Sequence, residues 1–124
     1  MAKIISSPAA PAAIGPYSQA VVTGGLVFTS GQIGLVPATG ELAGDGLAAQ
    51  AEQVMKNLGA VLAEAGSSYE KAVKTTCYLA DMADFAAFNE IYAKYFVGKP
   101  ARSCFAVKDL PKGALVEVEV VAEV

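Results

Sequence analysis

Hydrophobic residues recur at helical spacing in two segments of the chain. From Leu47 to Ala65, apolar residues occupy positions 47, 51, 54, 58, 61 and 65, a spacing that places them on one face of a helix. Gly66 follows at the position where a helix commonly ends in a left-handed residue. A second helix is predicted to begin at Asp81, whose carboxylate can cap free N–H groups, and to end before Gly98 and Pro100.

The side chains of both predicted helices divide into two sides. In the first helix the polar residues fall mostly off the apolar face, and these are Gln50, Glu52, Gln53, Lys56, Asn57 and Glu64. In the second helix five aromatic residues share one side, and these are Phe85, Phe88, Tyr92, Tyr95 and Phe96. We interpret the aromatic side as core, and the Asp81/Asp84 pair as helix-start chemistry, not as a metal site.

Extended segments surround the two helices. Residues 20–22 and 26–29 are apolar runs on either side of a glycine pair, which predicts a hairpin. Residues 71–79 alternate, with Val73, Thr75, Cys77 and Leu79 on one face, and residues 103–107 and 115–124 are two further strands. The predicted order is β-β-α-β-α-β-β in a single domain spanning residues 1–124. This order favours an α+β fold in which both helices cover one face of a mixed sheet.

The last two predicted strands carry different residues on their two faces. Val116, Val118 and Val120 point under the helices, whereas Glu117, Glu119 and Glu123 point to the other side. In the strand before, Arg102 shares a face with Cys104 and Ala106. A face that mixes carboxylates, an arginine and apolar groups could be solvated. We interpret it as buried against a second subunit, with Arg102 and Glu117 at the contact.

Composition supports that interpretation and excludes several kinds of chemistry. The chain has 124 residues, of which 54% are hydrophobic and 17% charged, against about 25% charged in an average domain. The net charge of −3 gives no electrostatic footprint for nucleic acid, and no apolar run is long enough to span a bilayer. Histidine is absent, which removes imidazole bases, imidazole zinc ligands and Ser-His or Cys-His nucleophile pairs.

The cysteines and the N-terminal residues point to a reduced compartment. Cys77 and Cys104 are far apart in sequence and form no CxxC pair, and we interpret them as small buried thiols. The first residues show no signal-peptide pattern, so we expect a cytoplasmic protein.

Four short segments carry candidate chemistry. Arg102 enters a strand after Pro100-Ala101; its guanidinium either pairs with Glu117 or Glu119, or receives a substrate carboxylate. Tyr17 follows the stiff Gly15-Pro16 turn, where a tyrosine serves packing more often than function. The glycine-spaced loop at residues 29–34 could aim N–H groups at an anion, although the pattern alone is weak. Asn89, in the aromatic helix, is by default a surface or capping residue.

Together these segments resemble the RidA (YjgF) family over nearly the whole chain. The motifs that carry the resemblance are Ile14-Gly15-Pro16-Tyr17-Ser18-Gln19-Ala20, Phe28-Thr29-Ser30-Gly31-Gln32-Ile33, Asp84-Phe85 with Phe88-Asn89, Pro100-Ala101-Arg102-Ser103-Cys104 and Val116-Glu117-Val118-Glu119. Each motif is modest, but their order and spacing are specific. Two departures are visible, because the connection 97–99 is shorter than in many relatives and Val120 stands where alanine is common.

The resemblance implies a chorismate-mutase-like fold assembled as a homotrimer with clefts between subunits. It also implies a 2-iminobutanoate/2-iminopropanoate deaminase, which hydrolyses reactive enamines and imines such as 2-aminoacrylate to 2-oxo acids and ammonia and so protects pyridoxal-phosphate enzymes. The catalytic positions fall on Arg102 and Glu117. The remaining cleft positions fall on Tyr17, Ser30, Gly31, Asn89 and Cys104, without metal or cofactor.

The expected chemistry is orientation of a substrate and one water. Arg102 would hold the α-carboxylate in two parallel hydrogen bonds, and Glu117 would take a proton from water and return it to the leaving ammonia. A Cys104 thiolate nucleophile is disfavoured because no partner that would lower its pKa is evident.

Two other functions stay open at this point. The cleft could bind a carboxylate metabolite and report it to a partner without turnover. RNA cleavage or translation inhibition, an activity also attributed to relatives, is disfavoured by the acidic balance and the absence of histidine.

Overall fold

The computed structural model describes residues 2–124, which form seven strands and two α-helices. The strands are β1 (Lys3–Ile5), β2 (Ala20–Thr23), β3 (Leu26–Thr29), β4 (Gln32–Ile33), β5 (Ala72–Leu79), β6 (Ala101–Ala106) and β7 (Val116–Glu123). The helices are α1 (Leu47–Glu64) and α2 (Phe85–Tyr95). The predicted α+β class is confirmed, and the observed order adds two short strands, β1 and β4, that the pattern did not predict.

All seven strands belong to one mixed sheet. Along it the order is β1-β2-β3-β7-β5-β6. The short strand β4 lies off this path and pairs with β7. Only β5 and β6 are parallel, and the other pairs are antiparallel. The last strand of the chain therefore lies in the middle of the sheet, while β6 lies at an edge and never pairs with β7.

Both helices cover the same face of the sheet. On that face β7 contributes Val116, Val118 and Val120, all buried as predicted, and α1 packs over β7. Thr75 in β5 pairs with Val120 and shares a hydrogen bond of 2.7 Å with the hydroxyl of Tyr92 in α2. The opposite, open face leaves Phe28 and Phe105 43% and 44% exposed. Such an apolar face favours burial against another protein surface.

Local turn signals in the sequence were mostly correct. Gly24 and Gly25 both have positive φ, at 59° and 78°, and close the hairpin between β2 and β3. Gly66 has φ 81° and ends α1, as predicted. Asp81 does accept the N–H of Ala83 at 2.9 Å, but it caps a short 3₁₀ turn at Met82–Asp84 that leads into α2.

Strand β5 is irregular near its start, at Val73. Val73 was expected on one face with Thr75, Cys77 and Leu79; those three are buried, but Val73 is 42% exposed. The pairing with β7 shifts register between Ala72 and Lys74, so an extra residue interrupts the alternation.

Candidate functional site

Arg102 lies on the helix face of the sheet, and Glu117 lies on the open face. Arg102 pairs with the buried Thr75, whose face is covered by α2. Glu117 pairs with Tyr78, which belongs to the same strand, β5, but points to the other face of the sheet. The expectation that both residues share one mixed face is therefore wrong within a single chain. The error arises because β6 borders β5, not β7, so the two strands could not be aligned from sequence alone.

The guanidinium of Arg102 rests on aromatic rings of α2. Its Cζ lies 4.7 Å from the centroid of Tyr92 and 5.5 Å from that of Phe85. Nη1 donates a hydrogen bond of 2.8 Å to Oδ1 of Asn89. Stacking and one hydrogen bond hold the group in a fixed plane, so its remaining N–H groups can face a ligand.

Two default interpretations are corrected by this arrangement. Within residues 2–124 the one ion pair joins Lys94 and Glu52, so Arg102 does not pair with Glu117 or Glu119. Asn89 is not a surface or capping residue, because it accepts from Arg102 and lies half-buried. Phe85 and Tyr92 pack in the core as predicted, but they also form the platform under the guanidinium.

A shallow pocket of about 370 Å³ opens beside Arg102. Asn89, Tyr92 and Arg102 line it together with Val97, Lys99 and Pro100. Lys99 has φ 53° and is one of two non-glycine residues with positive φ among the described residues. Backbone strain of this kind is often found at functional sites, although no sequence signal pointed to Lys99.

Cys104 lies two residues beyond Arg102 on the same face and faces Cys77 across the β5–β6 pair. Burial raises the pKa of the Cys104 thiol, and the nearby charge of Arg102 and the hydrogen bond with Cys77 offset this only in part. Burial likewise raises the pKa of Cys77 to about 12. Both thiols are therefore protonated at neutral pH, which opposes a thiolate nucleophile.

Glu117 lies in a second, larger cavity of about 590 Å³. Its carboxylate contacts the backbone at Gly31 so closely that a Cβ on Gly31 would overlap Oε2 of Glu117. Residue 31 must therefore be glycine for the carboxylate to lie where it does. Burial raises the pKa of Glu117 above the usual glutamate value, and the charge of Glu119 raises it further. A carboxylate with a raised pKa is suited to accept and return a proton.

Tyr17 and Ser30 line the same cavity as Glu117. The N–H of Tyr17 donates to the carbonyl of Gly15 at 2.8 Å, and the phenol ring folds back against Gly15, where a Cβ would lie 3.2 Å from the ring. Ser30 donates its hydroxyl to the carbonyl of Ser18 at 2.6 Å, which ties this loop to the segment before β2. Tyr17 is 53% exposed, so its packing inside one chain is slight.

Two buried polar side chains of α1 hold the loop after β4 that forms one cavity wall. Asn57 donates to the carbonyls of Ile33 at 3.2 Å and Leu35 at 2.9 Å. Gln50 donates to the carbonyl of Gly44 at 2.8 Å and accepts the N–H of Leu115 at 2.8 Å. The pattern placed both residues mostly off the buried face; the structure buries them because they satisfy these backbone groups.

The candidate residues thus form two groups on one chain. Tyr17, Ser30, Gly31 and Glu117 line the larger cavity, and Asn89 and Arg102 line the smaller pocket with Cys104 nearby in β6. Among residues 2–124 no cluster of three His, Cys, Asp or Glu side chains is placed to hold a metal ion. Within the same residues, neither helix has both the length and the hydropathy of a membrane span.

Comparisons with known proteins agree with the motif pattern. The family described as endoribonuclease L-PSP matches residues 7–124. Among curated proteins, the 2-iminobutanoate/2-iminopropanoate deaminase of Mus musculus is 50% identical over 121 residues, covering 97% of this chain and 90% of that protein. The chain belongs to the RidA (endoribonuclease L-PSP) family.

Solved RidA-family structures have the same fold. YyfA of Yersinia pestis, described as a protein of the conserved Rid family, superposes with a TM-score of 0.97 at 47% identity, with 100% of both chains covered. TdcF of E. coli with bound serine superposes with a TM-score of 0.93 at 42% identity, with 98% of both chains covered. The chain is therefore a RidA-family protein over its matched length, and the resemblance inferred from its motifs is confirmed.

Proposed function

We propose that this protein is a 2-iminobutanoate/2-iminopropanoate deaminase that hydrolyses reactive enamines and imines to 2-oxo acids and ammonia. Its substrates would include 2-aminoacrylate, 2-iminopropanoate and 2-iminobutanoate, and their removal would protect pyridoxal-phosphate enzymes from damage. Membership of the RidA family and the 50% identity to a curated deaminase support this activity. The single observation that carries it is the exposed side of the Arg102 guanidinium, fixed on Tyr92 and Asn89 beside an open pocket.

Arg102 would bind the substrate's α-carboxylate. Since Nη1 is already held by Asn89, the remaining N–H groups form a fork that matches two carboxylate oxygens. The aromatic platform of Tyr92 and Phe85 limits rotation of the guanidinium, so little entropy is lost on binding. The relative TdcF has serine bound, and serine is an amino acid with an α-carboxylate. This is consistent with the role of Arg102.

Glu117 would hold the attacking water and move its proton. An iminium carbon is already electrophilic, so hydrolysis needs a positioned water and a base, not a covalent nucleophile. Water adds to the C=N carbon while the carboxylate takes its proton. The same proton is then returned to nitrogen and the C–N bond breaks to release ammonia. The hydroxyl proton passes to the freed carboxylate as the C=O bond of the 2-oxo acid forms. The backbone of Cys104 would help to place the water, and Tyr17 with Ser30 and Gly31 would form the far wall.

We propose further that the site is completed between subunits of a homotrimer with a chorismate-mutase-like fold. Arg102 and Glu117 lie on opposite faces of one sheet, so one chain does not bring them together. The exposed aromatic residues of the open face, Phe28 and Phe105, are suited to a subunit contact. Each cleft would then combine the Arg102 pocket of one copy with the Glu117 cavity of its neighbour. Residues 1–124 would act as one domain in a cytoplasmic protein.

The test generates imines in situ from amino acids with an oxidase or a dehydratase and follows their disappearance. The proposed activity predicts faster loss of imine and faster appearance of the 2-oxo acid when the protein is added. Light scattering under the same conditions measures the mass of the assembly. An unchanged rate with an intact trimer would contradict the enzymatic function.

A binding function without turnover is the second candidate, and the serine bound to TdcF favours it. Calorimetric titration with 2-oxobutanoate, run beside the imine assay, separates the two. Binding without accelerated hydrolysis would indicate a carboxylate-metabolite-binding regulatory protein. RNA cleavage is not proposed, because the chain lacks histidine and carries a net charge of −3.

A further inference from the structure

Glu117 is flanked by the strands on both sides of β7. In the sheet register Glu117 pairs with Ile33 of β4 on one side and with Tyr78 of β5 on the other. Directly paired side chains on one face lie within contact distance. Gly31, just before β4, adds the backbone that touches Oε2 of Glu117. The Glu117 side chain therefore has a neighbour on each side. Among these neighbours, Ile33, Tyr78 and Gly31, only Tyr78 has a polar side-chain group.

Tyr78 is held by two contacts. Its hydroxyl donates a hydrogen bond of 3.0 Å to Oε1 of Glu119, so the ring runs diagonally from the Glu117 position to the next carboxylate on the same face. The ring of Phe105 in β6 meets it edge to face, with centroids 5.4 Å apart and an interplanar angle of 84°. The hydrogen bond fixes one end of the tyrosine and the aromatic contact fixes its face.

This arrangement also fixes a second negative charge beside Glu117. Glu119 lies two residues further along β7, on the same face, and its position is set by the Tyr78 hydroxyl. The titratable groups that face Glu117 are Glu119 from β7, Tyr78 from β5, Tyr17 from the segment before β2 and Lys112 from the turn before β7. Of these, Glu119 is the one whose charge raises the pKa of Glu117, after burial.

We propose that Tyr78 and Glu119 are positioning residues for Glu117: together they confine its carboxylate against Gly31 and set the pH at which it exchanges a proton. Their relevance to catalysis rests on the proposed function, in which Glu117 is the base. The confinement itself does not, because it follows from the register, the hydrogen bond and the Gly31 contact. Neither residue is among those that line the Glu117 cavity.

Glu119→Gln tests the electrostatic part. Glutamine keeps the size and still accepts from Tyr78, but it removes the like charge, so Glu117 should lose its proton at lower pH. Two readouts report this change: side-chain carboxyl NMR titration of Glu117, and the acidic limb of the kcat–pH profile for imine hydrolysis. Both should move to lower pH. Glu123→Gln, which removes an exposed glutamate from the same face of the same strand, is the matched control and should move neither.

Tyr78→Phe tests the hydrogen bond. The variant keeps the ring and its Phe105 contact but releases Glu119, whose charge is then screened by water. The titration of Glu117 should shift in the same direction as in Glu119→Gln. In the double variant the titration of Glu117 should shift no further than in Glu119→Gln alone, because both changes act through the Tyr78–Glu119 pair. The loss of kcat at neutral pH should stay below the ~10²-fold expected for removing a general base itself.

The outcomes separate this inference from the proposed function. If the wild-type protein hydrolyses imines while both variants leave the Glu117 titration and the pH profile unmoved, the inference is overturned and the function stands. If no imine is hydrolysed but the NMR titration shifts as described, the positioning role stands and the function falls. Additive shifts in the double variant would contradict a Tyr78–Glu119 unit. Thermal melts and light scattering exclude variants that do not fold or assemble.

Discussion

Arg102 and Glu117 lie on opposite faces of the same sheet, separated by strand β5, which pairs Arg102 with Thr75 and Glu117 with Tyr78. Adjacent residues of a strand point to opposite faces, and positions 75 and 78 differ by an odd number. One chain therefore holds the proposed carboxylate-binding group and the proposed base on separate faces. In the proposed assembly, a second copy of the chain would bring the two groups together.

Mixing two inactive variants tests the proposed shared site directly. In the proposed homotrimer, Arg102→Ala and Glu117→Ala should each be inactive when assembled alone. After the two are unfolded and reassembled together, about one quarter of the clefts would combine an intact Arg102 with an intact Glu117 if subunits assemble at random in a closed ring. Imine hydrolysis should return to about that fraction of the wild-type rate. A mixture as inactive as its components would show that one chain supplies both groups.

Arg102→Lys tests the fork geometry against charge alone. Lysine keeps the positive charge but offers a point charge in place of two parallel N–H donors, and it leaves Oδ1 of Asn89 without its present partner. We expect a loss of kcat/KM nearly as large as in Arg102→Ala, measured in the imine assay. Lys94→Arg, on the exposed side of α2, is the control, because it exchanges one cationic side chain for another away from the candidate site. Wild-type rates in Arg102→Lys would refute the bidentate clamp.

Gly31→Ala tests the contact between backbone and carboxylate. The added methyl would overlap Oε2 of Glu117, so the carboxylate must move away from the position where it would hold water. A small displacement of a catalytic group costs about 10²-fold in rate, and we expect a fall of that order in kcat with the fold retained. Gly46→Ala is matched to it, because a Cβ there meets nothing within 4 Å. Equal rates in both variants would contradict the contact.

Because its pKa is raised, the Glu117 carboxylate should lower the stability of the fold at a pH where it is ionised. Since burial raises this pKa in the folded protein, the folded state binds the proton more tightly than the unfolded chain. Ionisation of Glu117 therefore destabilises the fold as the pH rises from the ordinary glutamate pKa through the raised one. Glu117→Gln should increase the Tm at neutral pH but not at about pH 3, well below the ordinary glutamate pKa, where the carboxyl is protonated in both the folded and the unfolded state. A Tm gain of equal size at both pH values would point to packing instead.

Asn57→Ala should loosen the loop that forms a wall of the Glu117 cavity. The change leaves the carbonyls of Ile33 and Leu35 without their buried donor, at a cost of about 1–3 kcal/mol in the free energy of unfolding. Urea denaturation measures the loss, and hydrogen exchange should show faster exchange in residues 33–44. Lys56→Ala, an exposed neighbour in α1, should change the free energy of unfolding by less than about 0.5 kcal/mol.

Local patterns determined much of this protein. The spacing of apolar residues located α1 and α2, the glycine pair located the hairpin, and alternation along the last strand separated Val116 and Val118 from Glu117. The short motifs were specific enough to indicate the RidA family, which the comparisons confirm. These features are local because each depends on residues within one or two turns or one strand.

Tertiary structure alone decided how those parts meet. The position of β5 between β6 and β7 separates Arg102 from Glu117, and strand order depends on pairing between distant segments that no local period encodes. The same holds for the bulge that exposes Val73 and for the loop carbonyls that bury Gln50 and Asn57 on a helix side expected to be polar. Candidate chemistry could therefore be assigned along the chain, while the placement of Arg102 and Glu117 on opposite faces required the folded sheet.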